Sequence, residues 1–159
     1  MKTFLIITAI LIFALIVLLF TLRTSATTEK APGLVAGRLS RCPTSPNCVC
    51  SMYKDDSEHY IEPINIPANI TLDPLSVLKN VIHEMGGSVQ VETDNYLAAT
   101  FTSALFKFVD DLEVTIDLTP GVIHIRSASR VGYSDMGVNR KRVRRLKQLF
   151  NKQIAAATK

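Results

Sequence analysis

The sequence predicts a two-layer α+β domain, in which a four-stranded antiparallel sheet is packed by two helices, after an N-terminal transmembrane helix. Three observations predict it: an uncharged apolar run at the N-terminus, strict alternation of apolar and polar residues in the middle, and helical apolar spacing on both sides of that alternation. The 159 residues leave room for one domain. We divide the chain into an anchor or signal sequence (1–23), a linker (24–41) and the domain (42–156).

The N-terminal run from Phe4 to Leu22 contains no charged residue. As a helix it would extend about 28 Å at about 1.5 Å per residue, close to the hydrocarbon thickness of a bilayer. It is also longer than the apolar region of a cleavable signal peptide, about 7–15 residues. The run therefore predicts an uncleaved single-pass anchor, with cleavage near 24–26 as the alternative. Basic residues on both sides leave its orientation open.

Three cysteines, Cys42, Cys48 and Cys50, lie close together in "RCPTSPNCVCS". Zinc is one interpretation, but three thiolates with no nearby histidine supply no fourth ligand. We favour a disulfide between Cys42 and Cys48, which leaves Cys50 with no assigned role. Because disulfides persist in oxidising compartments, the soluble domain is predicted to be extracytoplasmic.

The first helix of the domain is predicted to begin after Asp73, a suitable N-cap followed by Pro74 at the first helical position. Apolar residues recur at three- and four-residue spacing as far as Met85, which predicts an amphipathic helix. The pair Gly86 and Gly87 ends it. A second helix is predicted over about 138–156.

Four strands are predicted between the helices, over 88–92, 96–102, 106–118 and 122–127. In the third strand the apolar residues fall on even numbers, and in the fourth the inward residues fall on odd numbers. The polar residues of both strands must then share the other face of the sheet. A turn centred on "PG" would set Asp117 beside His124. It would also place Glu113 diagonal to Arg126.

The polar sheet face admits three interpretations: a solvated, salt-bridged surface, arginines held by carboxylates and offered to an anion, or a cation site. A cation site is disfavoured because Asp110 and Asp111 point to opposite faces of a strand. Asp111 is expected near Arg130. Asp110 falls on the apolar side and needs a partner there, such as an arginine from the last loop. We predict no metal site and no cofactor.

Six positive charges, with no acid among them, lie between Arg140 and Lys147, so the rest of the chain is net negative although the whole carries +4. This basic helix is either a solvated face or a surface that docks on anionic lipid. Nucleic acid is not expected as a partner, because no aromatic side chains are interleaved with the charges. No nucleophile elbow, phosphate loop or zinc-protease motif is present.

The segments "CPTSPNCVCS", "FKFVDDLEV" and "IRSASRVGYSDMGVNRKRV" together resemble the DUF1499 family, over residues 39–150. The resemblance implies a small domain, often secreted or membrane-attached, with no established reaction. Cys50 departs from the family pattern, which has serine there, and an acid expected near Ala99 is missing. The positions that match the family's signature are Cys42, Pro43, Pro46, Asn47, Cys48, Asp110, Asp111, Glu113, Arg126, Ser127, Ser129, Arg130, Gly132, Tyr133, Asp135, Gly137, Asn139 and Arg140.

The function expected from the sequence is that of a membrane-tethered extracytoplasmic domain that binds an anionic ligand, a lipid headgroup or a protein partner. It would reach the membrane through Phe4 to Leu22. A hydrolase that uses Asp110, Asp111, Glu113 and Arg130 is the alternative, and a structural accessory subunit is another. The sequence leaves the ligand and the oligomeric state open. The candidate ligand-binding residues are Arg126, Ser127, Ser129, Arg130, Tyr133, Asp135, Asn139, Arg140, Asp110, Asp111 and Glu113.

Overall fold

The computed structural model describes residues 1–28, 30–68, 70–104 and 106–157, without the side chains of Leu19 and of residues 22–28. Three helices and eight strands occur in this part of the chain. Their bounds are α1 Lys2–Thr28, β1 Leu34–Val35, β2 Arg38–Leu39, β3 Cys48–Cys50, β4 Ile64–Asn65, α2 Pro74–Glu84, β5 Ser88–Glu92, β6 Tyr96–Thr102, β7 Val109–Asp117, β8 Val122–Ser129 and α3 Val138–Ala157.

The main sheet is antiparallel and has six strands, in the order β3-β8-β7-β6-β5, with β4 also paired to β8. The prediction of a four-stranded sheet is therefore wrong. The two added strands, β3 and β4, are three and two residues long, too short to show an alternating pattern in the sequence. Both pair with β8, on the side away from β7. The strands β1 and β2 make a separate hairpin.

Both α2 and α3 pack on one face of the sheet and enclose the main apolar core with it. The predicted N-cap of α2 is confirmed, since the Asp73 carboxylate accepts the backbone N–H groups of Leu75 and Ser76. Gly86 follows the last turn with φ +83°, a conformation that glycine adopts without a steric cost. The apolar stripe of α3 is Val143, Leu146, Leu149, Phe150 and Ile154.

Two strands differ locally from their predicted form. A bulge in β5 between Val89 and Val91 turns Val91 away from the core, although alternation predicts both residues inward. The third predicted strand starts at Val109 and not at Phe106. Lys107 has φ +58°, which breaks the extended backbone, and Phe106 is exposed.

The face of the sheet opposite the helices is partly covered by the segment between α1 and β3. Leu39 of β2 is buried there with Tyr96 and Ala98 of β6 and Cys50 of β3, in a second apolar cluster. The Tyr53 hydroxyl donates to the Leu39 carbonyl at 2.7 Å and holds this cover in place. The domain thus has an additional layer over part of the sheet.

No helix in the described ranges has both the length and the apolarity that crossing a membrane requires. This corrects the predicted transmembrane helix. The α1 helix continues past the apolar run, through Arg23 and polar residues, to Thr28. Its large apolar side chains between Phe4 and Phe20 are exposed, apart from Leu19, whose side chain is not described.

Candidate functional site

Two arginine–carboxylate pairs lie on the open face of the sheet, where β7 and β8 are adjacent. Arg130 donates from Nε and Nη2 to the two oxygens of Asp111, at 2.9 and 2.7 Å. The expected proximity of these residues is confirmed. Arg126 donates to Glu113 at 2.9 Å. Glu113 and Arg126 lie directly opposite each other in the ladder, and not diagonally as predicted.

Glu113 is completely buried, at 0% exposure, and has three hydrogen-bond donors. Besides Arg126, the Tyr96 hydroxyl donates to it at 2.9 Å and the Gly33 N–H at 3.0 Å. Burial raises the pKa of Glu113, and the guanidinium of Arg126 opposes this. Burial also raises the pKa of Tyr96, as does the adjacent carboxylate. This cluster ties the N-terminal segment to the sheet and leaves Glu113 no open side for a ligand.

The third pair lies on the helical side of the sheet. Arg142 of α3 donates to Asp110 at 2.6 Å, and its guanidinium lies 4.7 Å from the centre of the Phe101 ring. Asp110 therefore has the arginine partner that its position requires. The partner comes from α3, one turn beyond the loop from which it was expected.

A polar corner, formed by Asn47, Ser127, Ser129 and Asn139, joins the start of α3 to the sheet. The Asn139 amide donates to the Asn47 carbonyl at 2.9 Å and to Ser129 Oγ at 3.1 Å. Its Oδ1 accepts from the Ser127 hydroxyl at 2.6 Å and from Arg142. Asn47, Ser127 and Asn139 are buried. Every polar atom of the Asn139 side chain is thus used within the fold.

The loop between β8 and α3 is closed by Asp135. Its carboxylate accepts from the Gly137 N–H at 2.8 Å and from the Asn139 N–H at 2.6 Å, which satisfies amides at the helix start. The Asn47 amide donates to the Gly132 carbonyl across the same loop. Met136 has φ +54° at the tip. These bonds fix the loop backbone and leave Tyr133 outside, with 76% of its surface exposed.

A cleft of about 400 Å³, which we call the loop cleft, separates this loop from the disulfide loop. Arg140 forms part of its wall and donates to the carbonyls of Glu58 and Tyr60, at 2.7 and 3.0 Å. His59 is buried in the wall: Nδ1 lies 2.8 Å from Asp56 Oδ1, and Nε2 lies 3.2 Å from the Ser45 carbonyl. The lining residues are Thr44, Pro46, Cys48, Val49, Glu58, His59, Tyr133, Asp135, Gly137 and Arg140.

Two further concave surfaces flank the sheet. The sheet-face cavity, about 500 Å³, is bordered by the Asp111–Arg130 pair and by Tyr96, Lys30 and Val91. The helix groove, about 400 Å³, runs between the end of α2 and the start of α3. The groove is lined by Glu84, Met85, Phe101, Val138, Lys141, Arg142, Arg145 and Leu149.

The six basic residues between Arg140 and Lys147 divide into two groups. Arg140, Arg142 and Lys147 are held by carbonyls or by a carboxylate of the fold. Lys141, Arg144 and Arg145 are exposed and have no acidic partner among the residues that the structure describes. They form a free basic face on the outer side of the helical layer.

The sulfur atoms and the histidines offer little for nucleophilic chemistry. The predicted Cys42–Cys48 disulfide is confirmed. Cys50 is a buried free thiol, and burial raises its pKa, so it is a poor source of thiolate. Ser51 lies 3.2 Å from His124 Nδ1, but Ser51 is buried and accepts the Ile125 N–H. A substrate has no access to that hydroxyl.

A family model described as "Protein of unknown function (DUF1499)" matches residues 38–150, most of the chain. The chain belongs to the DUF1499 family. No curated protein and no solved structure matches it. The matched range contains the disulfide, the polar corner, the ion pairs of Asp110, Asp111 and Glu113, and the loop cleft of this DUF1499 domain.

The eleven candidate residues of this DUF1499 domain do not form one site. Tyr133, Asp135 and Arg140 line the loop cleft, whereas Asp111 and Arg130 border the sheet-face cavity. The other six lie outside these two cavities, in the polar corner and in the ion pairs: Arg126, Ser127, Ser129, Asn139, Asp110 and Glu113.

Three further residues take part in these sites. In the sequence, Arg142 stands out only as part of the basic helix, although its i+3 spacing from Asn139 puts both on one helix face. Tyr96 opens a strand, and nothing in its spacing indicates a hydroxyl partner. His59 lies in irregular sequence, and only the i+3 position of Asp56 hinted at a pair.

Proposed function

We propose that this domain is a non-catalytic docking module whose α3 helix rests on an anionic lipid surface. The observation that carries the proposal is the free basic face of Lys141, Arg144 and Arg145. The four arginines of the last signature segment are bonded within the fold, whereas these three charges are exposed on one helix. Unpaired cations arranged in this way attract a negatively charged surface.

The helix groove beside the basic face adds an apolar component. Met85, Phe101 and Leu149 give it an apolar lining, and Lys141 and Arg145 lie beside them, together with one carboxylate, Glu84. A surface that combines an apolar strip with a cationic border suits the boundary between acyl chains and phosphate headgroups. An acidic protein would also pair with these charges, but its binding would not require the adjoining apolar strip.

Electrostatic attraction by three residues is weak alone. At about 1 kcal/mol for each basic residue near an anionic surface, the face contributes about 3 kcal/mol. Stable attachment takes a second signal. The exposed apolar side chains of α1, from Phe4 to Phe20, supply one in this proposal. The Cys42–Cys48 disulfide supports an oxidising, extracytoplasmic compartment for the domain.

The geometry of the acidic cluster favours docking over the hydrolase alternative. Asp110 pairs with Arg142 on the helical side, while Asp111 and Arg130 pair on the opposite face. Glu113 is enclosed by its three donors. A general acid and base must reach the same substrate atoms. These carboxylates do not converge on one cavity.

The test is binding of the full chain to vesicles of phosphatidylcholine, with and without phosphatidylglycerol, across a series of salt concentrations. We expect binding to increase with phosphatidylglycerol and this increase to disappear at high salt. The double variant Arg144→Gln/Arg145→Gln should lose about 2 kcal/mol of the increase, which corresponds to about thirtyfold in affinity.

The matched control is Lys54→Gln/Lys107→Gln, which removes the same charge from exposed positions outside α3. It should retain the increase. Equal binding of wild type and both variants on anionic vesicles would show that α3 does not dock. Binding that is the same on both vesicle types would assign all attachment to α1 and leave the basic face for an acidic protein.

A further inference from the structure

We infer that the loop cleft is a second binding site, independent of lipid docking, and that it takes a neutral saccharide unit. The cleft brings an exposed aromatic ring, Tyr133, next to side chains that offer both donors and acceptors, Arg140, Glu58 and Asp135. Its volume of about 400 Å³ falls within the range of small-ligand pockets, about 300–1,000 Å³.

The charge of the lining argues against an anion, although Arg140 is present. Asp135 and Glu58 are carboxylates of the same wall, so they offset the guanidinium. His59 is fixed between the Asp56 carboxylate and the Ser45 carbonyl, so both of its ring nitrogens are turned toward acceptors within the fold. No net positive field remains to concentrate an anionic ligand.

The remaining chemistry matches a ring that bears hydroxyl groups. One face of a pyranose ring carries C–H groups and packs on an aromatic side chain, while its hydroxyls both donate and accept hydrogen bonds. Tyr133 offers an exposed ring for the first interaction. Arg140, Asp135 and the Thr44 hydroxyl offer donors and acceptors for the second.

The polar groups of the cleft are also held in place before a ligand arrives. The Arg140 guanidinium is oriented by the Glu58 and Tyr60 carbonyls. Asp135 is oriented by two backbone N–H groups. Groups that are already ordered lose less entropy when they bind, so a small neutral ligand can gain measurable affinity. Within the part of the chain that the structure describes, the Tyr133 side chain has no such restraint, and it is exposed, so it can adjust to the ring.

The experiment is a binding titration of the full chain, by saturation-transfer NMR and calorimetry, with N-acetylglucosamine, its trimer and methyl glucoside as probes. Sodium phosphate and sodium acetate serve as anionic comparisons. We expect at least one saccharide to bind and both anions to fail to compete with it. Tyr133→Ala should weaken that binding about tenfold or more, and Tyr133→Phe should retain it, because the ring provides the contact.

Leu118→Ala is the matched control, since Leu118 is as exposed as Tyr133 (75%) and lies in the β7–β8 turn. It should leave saccharide binding unchanged. The unfolding midpoints of the Tyr133 variants should equal that of wild type, because the side chain is exposed. Absence of saccharide binding, binding that survives Tyr133→Ala, or displacement of the saccharide by phosphate would each overturn the proposal. Vesicle binding by the Tyr133 variants should be normal.

Discussion

Arg142 of α3 and Asp110 of β7 form a 2.6 Å ion pair across the interface between helix and sheet. Both side chains are largely buried, with 10% and 14% of their surface exposed. The same guanidinium donates to Asn139 and lies over Phe101. One arginine thus connects the last helix to a strand, to the polar corner and to an aromatic ring.

Replacing Arg142 with methionine should therefore destabilise the domain strongly. The substitution leaves Asp110 as a nearly buried carboxylate without the guanidinium that pairs with it, and we expect a loss of about 3 kcal/mol in the free energy of unfolding. Urea unfolding of the two proteins measures this difference. Arg145→Met, which removes an exposed charge from the same helix, should change stability by less than about 0.5 kcal/mol. Equal losses in both variants would refute a role for the pair.

Asn139→Ala should disrupt the polar corner. The change removes the acceptor of the buried Ser127 hydroxyl and one of two donors to the Asn47 carbonyl, which keeps the Ser129 N–H. An unsatisfied buried polar group costs about 1–3 kcal/mol, so we expect a loss in that range. Thermal unfolding of Asn151→Ala, at an exposed position of α3, is the control. Matching midpoints for the two variants would contradict the prediction.

The stability of the domain should fall on mild acidification because of His124. Burial lowers the pKa of His124, with Arg38 contributing and Asp117 opposing. The unfolded chain therefore binds a proton first as the pH falls below about 6.5, and this favours unfolding. Stability is expected to decrease from about pH 7.5 to about pH 5.5. His124→Asn should reduce that decrease, whereas His83→Asn, at an exposed position, should not.

The difference between wild type and His124→Asn measures the contribution of His124 to the pH dependence of stability. Glu113 has a raised pKa, so the folded state holds its proton more tightly and its own contribution runs in the opposite direction with pH. A pH dependence identical in wild type and His124→Asn would assign the whole effect to other groups.

Reduction of the Cys42–Cys48 disulfide should destabilise the domain modestly. The bridge closes a loop with a sequence separation of 6, and the loop-entropy relation gives about 2 kcal/mol for a loop this short. The unfolding midpoint should decrease with dithiothreitol in wild type. It should not respond to the reductant in Cys42→Ala/Cys48→Ala. A midpoint that ignores the reductant in both proteins would show that the bridge contributes nothing.

Gly87→Ala should be destabilising through a steric clash. A Cβ at this position would lie 2.6 Å from the Phe101 ring and 2.7 Å from Ile82 Cγ2. Overpacking of a core typically costs about 1–3 kcal/mol. The double variant Gly87→Ala/Phe101→Leu replaces the ring with a shorter side chain. In urea unfolding it should recover part of the stability lost in Gly87→Ala. No recovery would place the strain elsewhere.

The alternation of β7 and β8 was predictable because one face of each strand is buried against the helices. The paired strands keep Val114 and Ile125 on the core face, as expected. The register differed by two residues, since Asp117 pairs with Val122 and His124 with Thr115. The turn is centred one residue earlier than "PG", and a shift of two leaves every side chain on its predicted face.

The cover over the open sheet face was not predictable from local patterns. Leu39 and Tyr53 lie in stretches with no periodicity, and their burial depends on contacts with residues far along the chain. The same holds for the carboxylate network, since the Gly33 backbone and the Tyr96 hydroxyl reach Glu113 only in the assembled fold. The alternation predicts polar residues on the open face of the sheet, but it does not predict which of them become enclosed.

The bond from the Gly33 N–H to Glu113 has a consequence for how the domain can move. The chain between the end of α1 at Thr28 and this fixed point is only five residues long, so it reaches at most about 18 Å. Two layers of about 10 Å each separate the anchored sheet face from the outer side of α3. If α1 lies in lipid, so short a connection prevents the domain from lying flat on α3. The domain is then tilted, and Lys141, Arg144 and Arg145 meet the headgroups from one side of α3.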